Sequence, residues 1–189
     1  TYGGSANAIT VTAGLSGIAI GTEIRFRATA ANTGPATLTV DGTGALPCRT
    51  ITGQALPPGY ILTTADTVAR CDGTYWVLRR EIERGSNANG EYVRFADGTQ
   101  ICTYSAVDAV GPITTVIDAI RKSAEYSWIF PAGFATSTNL AANGSLRTSS
   151  PVWSKTRVTS STSASVMLFA ANSNVNNFTV DFSAIGRWY

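Results

Sequence analysis

The feature that most constrains this chain is the recurrence of Asp-Gly pairs between short runs of β-branched and aromatic residues. Glycine accepts a positive φ and aspartate tolerates it, so an Asp-Gly pair between two such runs favours a tight β-hairpin turn. The pairs are Asp41-Gly42, Asp72-Gly73 and Asp97-Gly98. Clear helix signals are scarce, and turn signals recur about every eight to twelve residues, which is typical of all-β proteins. The sequence therefore predicts an all-β chain.

Residues 1–80 are predicted to form a small antiparallel β module. Alternating or β-rich runs predict strands at residues 7–11, 22–30, 36–40, 45–51 and 60–64, and a hairpin over residues 67–80. Turn residues such as those in NTGP and LPPG separate the runs.

Residues 81–90, EIERGSNANG, are predicted to be a linker, because their charge and their Gly and Asn content favour a short, partly flexible connection. A second module is then predicted over residues 91–189. Roughly six strands in about 100 residues would give a small antiparallel β-sandwich.

The hairpin around Asp97-Gly98 opens this second module. If those two residues form the turn, side-chain alternation decides which residues share a face. One face is predicted to hold Val93, Phe95, Cys102 and Tyr104, and the other Tyr92, Arg94 and Ile101.

The segment 113–128 is ambiguous. Ile113, Val116, Ile117 and Ile120 have helical spacing, whereas a β-hairpin or a strand with a loop is the alternative. Further along, Asn143-Gly144 gives another hairpin signal.

The last third of the chain carries clearer strand patterns. Residues 156–172 favour one or two strands around a Ser/Thr-rich turn. Residues 177–189 favour a strand with alternating apolar positions. Those positions are Phe178, Val180, Phe182 and Ala184.

Composition excludes several classes of function. The net charge is +2 and only 14% of residues are charged, against about a quarter in an average protein. The few basic residues are scattered, which disfavours nucleic-acid binding. No apolar run is long enough to cross a bilayer, so membrane insertion is not expected. No signal peptide is visible, and the chain begins at Thr1 rather than Met, as expected of a fragment.

The cysteine and histidine content argues against a metal site. The chain has no His, and Cys48, Cys71 and Cys102 have no CxxC spacing. Buried free thiols are favoured over a Cys48–Cys71 pair, and no metal or cofactor is expected.

Catalytic groups are also missing from the sequence. The commonest general base, His, is absent, and no nucleophile elbow, P-loop or dinucleotide-binding fingerprint occurs. Asp41, Asp72 and Asp97 precede glycines, where aspartate favours turn formation. We therefore expect no catalytic residues and no enzyme activity.

The segment NGSLRTSSPVWSKTR, residues 143–157, has the composition of a carbohydrate site. Such sites place an apolar ring under a sugar and surround it with amide, hydroxyl and cationic groups. The candidate glycan-binding residues are Asn143, Arg147, Trp153, Lys155 and Arg157. The alternative is that Trp153 belongs to the core at the start of a strand.

The other tryptophans are assigned differently. Trp76, which follows a tight turn, and Trp128, which precedes IFP, are expected in the core. The terminal Trp188-Tyr189 pair either caps the sandwich or packs against a neighbouring chain.

Three stretches resemble the C-terminal domain of phage tail-fibre and spike proteins. They are NGEYVRFADGTQIC, SWIFPAGFA and SAIGRWY, and the resemblance covers about residues 88–189. FPAGF, followed by TRVTSSTSASVMLFAA and NFTVDFSAIG, is similar to H-type lectin sandwiches, which are six-stranded, trimeric and sugar-binding. Residues 7–80 resemble a small β module found upstream in phage tail proteins. Fibres of gene-transfer agents and head spikes have similar sequence patterns.

The resemblance implies an extracellular virion adhesin that binds a host surface polysaccharide. Residues 1–80 would be a shaft or connector, and residues 91–189 the receptor-binding sandwich. Other virion tail or spike proteins would be partners, and a homotrimer is the usual state of the family. GPITTVIDAIRKSAEYS departs from the family pattern and is expected as a local insertion. No sugar-contacting residue of H-type lectins matches one by one, so none is assigned.

Two other functions fit the same sequence. A connector or decoration protein would use these loops to bind other virion proteins. A polysaccharide depolymerase would need two facing carboxylates in an exposed groove.

Overall fold

Seventeen strands and no helix make up the chain in the computed structural model, which describes all of residues 1–189. The all-β prediction is therefore confirmed. There is no helix of the length and hydropathy that crossing a membrane would require. The chain divides into two compact units. Unit one comprises Thr1–Ile82 and Phe95–Asp97, and unit two comprises Glu83–Arg94 and Gly98–Tyr189.

Unit one contains a seven-stranded mixed sheet. Its strands are β1 (Tyr2–Gly4), β2 (Ala8–Val11), β3 (Glu23–Phe26), β4 (Thr37–Val40), β5 (Leu46–Arg49), β6 (Thr67–Cys71) and β7 (Trp76–Arg80). The order is β1-β2-β4-β5-β7-β6-β3. Two pairs, β2 with β4 and β5 with β7, are parallel, so the expectation of an antiparallel module is wrong. The reason is that long connections separate these strands, and a crossover of a dozen or more residues lets a strand return in the same direction.

The strand predicted at residues 60–64 does not form. Tyr60 and Ile61 are buried, but the Ile61 N–H donates to the side-chain oxygen of Asn32 at 2.8 Å. The Asn32 amide in turn donates to the carbonyls of Gly34 and Pro57, both at 2.8 Å. A buried side chain thus supplies the partners that a sheet would otherwise provide.

Asp41 joins two loops of unit one. Its carboxylate accepts the backbone N–H groups of Ala13, Gly14 and Leu15 at 2.9, 3.1 and 2.8 Å. These bonds stabilise the charged form, so the pKa of Asp41 lies below its usual value. Asp41, which was predicted to form a turn, therefore also holds the segment that follows β2 in place.

Unit two contains two antiparallel sheets. Its strands are β8 (Glu83–Asn87), β9 (Gly90–Arg94), β10 (Thr99–Val110), β11 (Ile113–Ile117), β12 (Ile120–Ser123), β13 (Tyr126–Ile129), β14 (Ala141–Leu146), β15 (Val152–Ser160), β16 (Ser163–Ala170) and β17 (Phe178–Arg187). The β17 sheet has the order β14-β17-β10-β9-β8. The β16 sheet has the order β11-β12-β16-β13, with β15 paired to the other side of β16. The unit is sandwich-like, with ten strands rather than roughly six.

The segment predicted as a linker contains β8, which pairs with β9. Gly85 stands opposite Tyr92, and a Cβ atom on it would lie 2.4 Å from that ring. The glycine that suggested flexibility therefore makes room for a cross-strand aromatic side chain.

The faces predicted for the β9–β10 hairpin are wrong. Arg94 pairs with Gln100 and Tyr92 with Cys102, so an odd number of residues, 95–99, lies between the first paired residues. A shift of one residue moves every side chain to the opposite face. Tyr92 therefore packs against the core with Cys102, whereas Val93 pairs with Ile101 on the outer face.

The ambiguous segment forms strands β11, β12 and the start of β13, not a helix. Ile117 and Ile120 pair across a tight turn in which Asp118 has a φ of 47°. Of the apolar residues with helical spacing, Ile113 is buried but Val116 is 60% exposed. The helical spacing of these apolar residues therefore did not indicate one continuous buried face.

Asn143-Gly144 lies inside β14 and makes no turn. A Cβ on Gly144 would lie 3.0 Å from the Thr156 hydroxyl and 3.3 Å from the Phe182 ring. This glycine allows close approach between strands, a use that a local turn signal does not separate from hairpin formation.

The strand patterns of the last third are confirmed. β15 and β16 form a hairpin around Ser161 and Thr162, and β17 buries alternate residues. The buried residues of β17 are Phe178, Val180, Phe182 and Ala184.

Aromatic side chains form the centre of the core of unit two. The Phe182 ring lies 5.1 Å from Trp128, 6.0 Å from Tyr126 and 6.4 Å from Tyr104. Phe182 and Tyr104 belong to the β17 sheet, whereas Tyr126 and Trp128 belong to β13 of the β16 sheet. The Trp128 indole N–H donates to the Asn89 carbonyl at 2.9 Å. These contacts join the two sheets.

Several side-chain predictions are also confirmed. Trp76 and Trp128 are core residues, and all three cysteines are buried and free. Burial raises the pKa of the Cys48 thiol to about 12. Trp188 packs within its own unit, with the Arg94 guanidinium 5.4 Å from its ring.

We expect Phe182→Ala to destabilise unit two by about 3–5 kcal/mol, the usual cost of removing a buried phenylalanine side chain. Hydrogen exchange of the β10 and β17 amides measures this. Ile185→Ala, on the same strand at a site 49% exposed, is the control and should cost about 0.5 kcal/mol or less. Equal protection in both variants would contradict the role of Phe182.

Gly90→Ala should destabilise the chain by more than about 1 kcal/mol. Gly90 has a φ of 122°, and a Cβ there would lie 2.0 Å from the Thr103 carbonyl oxygen. Gly133→Ala is the matched control, because its Cβ would make an ordinary 3.5 Å contact with Thr162. Urea denaturation measures both, and a Gly90 variant as stable as the control would refute the steric argument.

Candidate functional site

The outer face of the β16 sheet presents three of the five predicted site residues. Alternate residues of β15 point outward, and these include Trp153, Lys155 and Arg157. Across the strand pair they stand opposite Phe169, Met167 and Ser165. We call this surface the Trp153 face. It is defined by Lys122, Glu125, Trp153, Lys155, Arg157, Ser165, Met167 and Phe169.

Trp153 is 47% exposed, so the alternative that it belongs to the core is wrong. Its ring stacks with that of Phe169, with centroids 6.2 Å apart and planes 15° from parallel. Trp153 and Phe169 are a directly opposed cross-strand pair, and such aromatic pairs stabilise each other's orientation. The two rings form a surface-exposed aromatic platform.

Lysines stand on two sides of this platform. Lys122 of β12 pairs with Phe169, so Lys122, Phe169 and Trp153 form one row across three strands. Lys155 follows Trp153 by two residues on the same face, which places it about 7 Å along the strand. Met167 lies opposite Lys155, in the row next to that of Trp153 and Phe169.

Arg157 belongs to an ordered polar network at the next row. Its Nε donates to Glu125 Oε1 at 2.9 Å, and its Nη2 donates to Oε2 at 3.0 Å. The Ser165 hydroxyl donates to the same Oε1 at 2.7 Å. The hydrogen bond from Ser165 and the guanidinium of Arg157 hold the pKa of Glu125 below its usual value. Because the pair is partly exposed, it fixes geometry more than it adds stability.

Asn143 and Arg147 lie elsewhere. Asn143 is on the outer face of β14, in the β17 sheet, opposite Ser183. Arg147 makes a bidentate pair with Asp181, with Nε to Oδ2 at 2.5 Å and Nη2 to Oδ1 at 2.9 Å. The structure therefore places these two predicted residues apart from the Trp153 face. Their role in binding stays a prediction.

Sequence reasoning missed Phe169, Lys122 and Glu125. Phe169 had a partial signal, because it alternates with the buried Leu168 and Ala170, but its place opposite Trp153 depends on a register shift between Val158 and Ser160. Lys122 and Glu125 had none, since they lie in the ambiguous segment whose partner strand is distant in sequence.

A groove on the β17 sheet contains two carboxylates, those of Glu91 and Asp181. The guanidinium of Arg147 and the hydroxyl of Ser105, which donates at 2.7 Å, hold the pKa of Asp181 below its usual value. Asp181 is thus kept ionised, which suits a structural ion pair and not a proton donor. No three Cys, Asp or Glu side chains cluster so as to hold a metal ion.

Comparison with known proteins finds one distantly similar structure. No family model and no curated protein matches the chain. Among solved structures, the C-terminal part of the P. aeruginosa R1 pyocin fibre is similar, with a TM-score of 0.42 and 13% sequence identity. The match covers 57% of this chain and 28% of the other, so this chain spans less than a third of that one. At this score the likeness carries no argument about function.

The Glu125 network should make stability depend on pH. The pKa of Glu125 is lowered on folding, so its contribution is present above the unfolded-state pKa, about 4.3, and is lost as pH falls through the folded-state value. Glu125→Gln should therefore have a lower urea midpoint than the parent chain at pH 7, and the difference should shrink towards pH 3. Arg157→Gln should give the same loss at pH 7. A difference that does not change with pH would rule out the network.

Proposed function

We propose that this chain is part of a virion fibre or spike and binds a host surface glycan through the Trp153 face, without cleaving it. The observation that carries the proposal is the exposed Trp153–Phe169 platform with lysines beside it. A large ring that stays half exposed forgoes the stability that burial would bring, so a binding role explains its position better than a packing role does.

The geometry of the face suits a sugar polymer. The apolar side of a sugar ring can lie flat on the Trp153 indole, which has a large apolar body and a polar N–H. Arg157 and Glu125 offer ordered hydrogen-bonding groups beside it, and the buried Ser165 hydroxyl holds Glu125 in place. The face is open and lies along strands, so a chain longer than the site can bind and extend past both ends, unlike a ligand enclosed in a pocket.

The setting on a virion is proposed from the sequence patterns that resemble phage fibres and spikes, together with the two all-β units. Unit one would be the shaft or connector and unit two the distal, extracellular binding unit. A homotrimer would carry three copies of the face. Linked copies convert weak individual binding into useful avidity when all can bind at once.

Binding without cleavage is preferred because of the state of the carboxyl groups. A glycosidase needs one carboxyl that stays protonated near neutral pH, which requires a raised pKa. Every carboxyl whose pKa departs clearly from its ordinary value has it lowered. These are Asp41, Asp66, Asp72, Glu125 and Asp181.

Trp153→Ala in the full chain should weaken binding to host cells about tenfold or more, because truncating a central aromatic residue commonly costs about 2 kcal/mol. Trp153→Phe should retain part of the affinity, because it keeps a ring. Flow cytometry of labelled protein on host cells, with and without purified host polysaccharide as competitor, measures this. The control is Val107→Ala, an apolar site on β10 of the other sheet that is 67% exposed.

Binding that the polysaccharide abolishes, and that needs Trp153 but not Val107, supports the proposal. Cell binding by the Trp153 variant equal to that of the parent chain would contradict it. If the folded chain binds no host cells but binds another virion protein through the same face, the function is that of a connector.

A further inference from the structure

We propose that the Trp153 face selects an acidic glycan, with a sugar ring on Trp153 and negatively charged substituents at Lys122 and Lys155. This inference rests on the proposed function and specifies its ligand. It follows from three observations: the charges on the face, the pairing among them, and the spacing of the two lysines.

The charges on the face do not balance. It holds three cations, Lys122, Lys155 and Arg157, and one carboxylate, Glu125. Arg157 engages both oxygens of Glu125. That pair is internally neutral, so the two lysines give the face a net positive character.

Neither lysine forms an ion pair or a hydrogen bond of its own. Lys122 attracts Glu125 at longer range, which contributes least to the lowered pKa of that carboxyl. The other carboxylate nearby, Asp118, belongs to the turn between β11 and β12, beyond the paired rows of the face. Both ammonium groups are therefore available to a negatively charged ligand.

The spacing of the lysines suits a repeating anion. They lie two strands and one row apart, which is about 12 Å between Cα atoms from the ordinary spacings of a sheet. Phe169 and Met167 lie between them. Each ammonium group stands on a flexible stem that can lie along this apolar surface and lean towards a bound chain. A polymer resting on the platform could thus present one anion to each lysine.

Charge and stacking should contribute in different ways. Exposed charges attract a ligand weakly and are screened by salt, with a Debye length of about 8 Å at physiological ionic strength. Stacking on Trp153 depends much less on salt. Binding should therefore weaken as salt rises, and removing both lysines should reduce both the affinity and its dependence on salt.

The test uses the full chain on an array of bacterial surface polysaccharides printed in matched forms. Each polysaccharide is present untreated, with its carboxylates reduced to alcohols, and after removal of phosphate. Comparing binding to the reduced and to the dephosphorylated forms shows whether the protein recognises carboxylate or phosphate. The proteins are the parent chain, Lys122→Gln/Lys155→Gln, Trp153→Ala and the control Arg84→Gln, which removes an exposed cation of β8 on the other sheet.

We expect the parent chain to bind untreated acidic polysaccharides and to lose about tenfold or more on removal of one class of anion. The double lysine variant should lose about tenfold on the untreated form, and the loss should disappear on the neutral form. Arg84→Gln should bind like the parent chain. A double variant that binds as the parent does, in low and high salt, overturns the inference.

Failure of this inference and failure of the proposed function would give different results. Equal binding to charged and neutral forms, still dependent on Trp153, overturns the acidic specificity and leaves glycan binding in place. Absence of binding to every form by a chain whose circular dichroism shows it folded overturns the proposed function and this inference together.

Discussion

The contact of Phe182 with aromatic side chains of the opposite sheet is the interaction on which unit two depends. The ring belongs to β17, an interior strand of its sheet, and it meets Trp128 and Tyr126 from β13. Because side chains alternate along strands, fixing the inward residues of each sheet also fixes which residues point outward. The position of Trp153 on the outside is a consequence of this core, since Val152 and Val158 of the same strand pack against it.

The sequence predicted those elements whose signals are local. The alternation in β17 and the hairpin of β15 and β16 need only neighbouring residues, and both were found. The β9–β10 faces were wrong because the observed pairing is shifted by one residue from the one that a two-residue Asp-Gly turn would give, and such a shift reverses the faces. Gly85 and Gly144 were misread because the aromatic and hydroxyl groups they accommodate come from other strands. Glycine alone does not tell a flexible site from a crowded one.

The same distinction explains the site. Trp153, Lys155 and Arg157 share a face because they alternate on one strand, which the sequence shows directly. Asn143 was grouped with them by closeness in sequence, yet β14 pairs with β17 and belongs to the other sheet. Lys122 joins the face only through the pairing of β12 with β16, about fifty residues further along the chain. Long-range sheet pairing decides such neighbours, and short motifs carry no information about it.

The division between inner and outer residues also bears on how the Trp153 face can change. Trp153 and Lys155 are exposed and Lys122 is partly exposed, so under the proposed function their replacement should affect ligand choice far more than folding. The Arg157–Glu125 pair is different, because it ties the β12–β13 connection to β15. The aromatic core, the Arg157–Glu125 pair and the unpaired side chains of the same face are thus under decreasing structural constraint. Under the proposed function, affinity should therefore be adjustable at Trp153, Lys122 and Lys155 without loss of the fold.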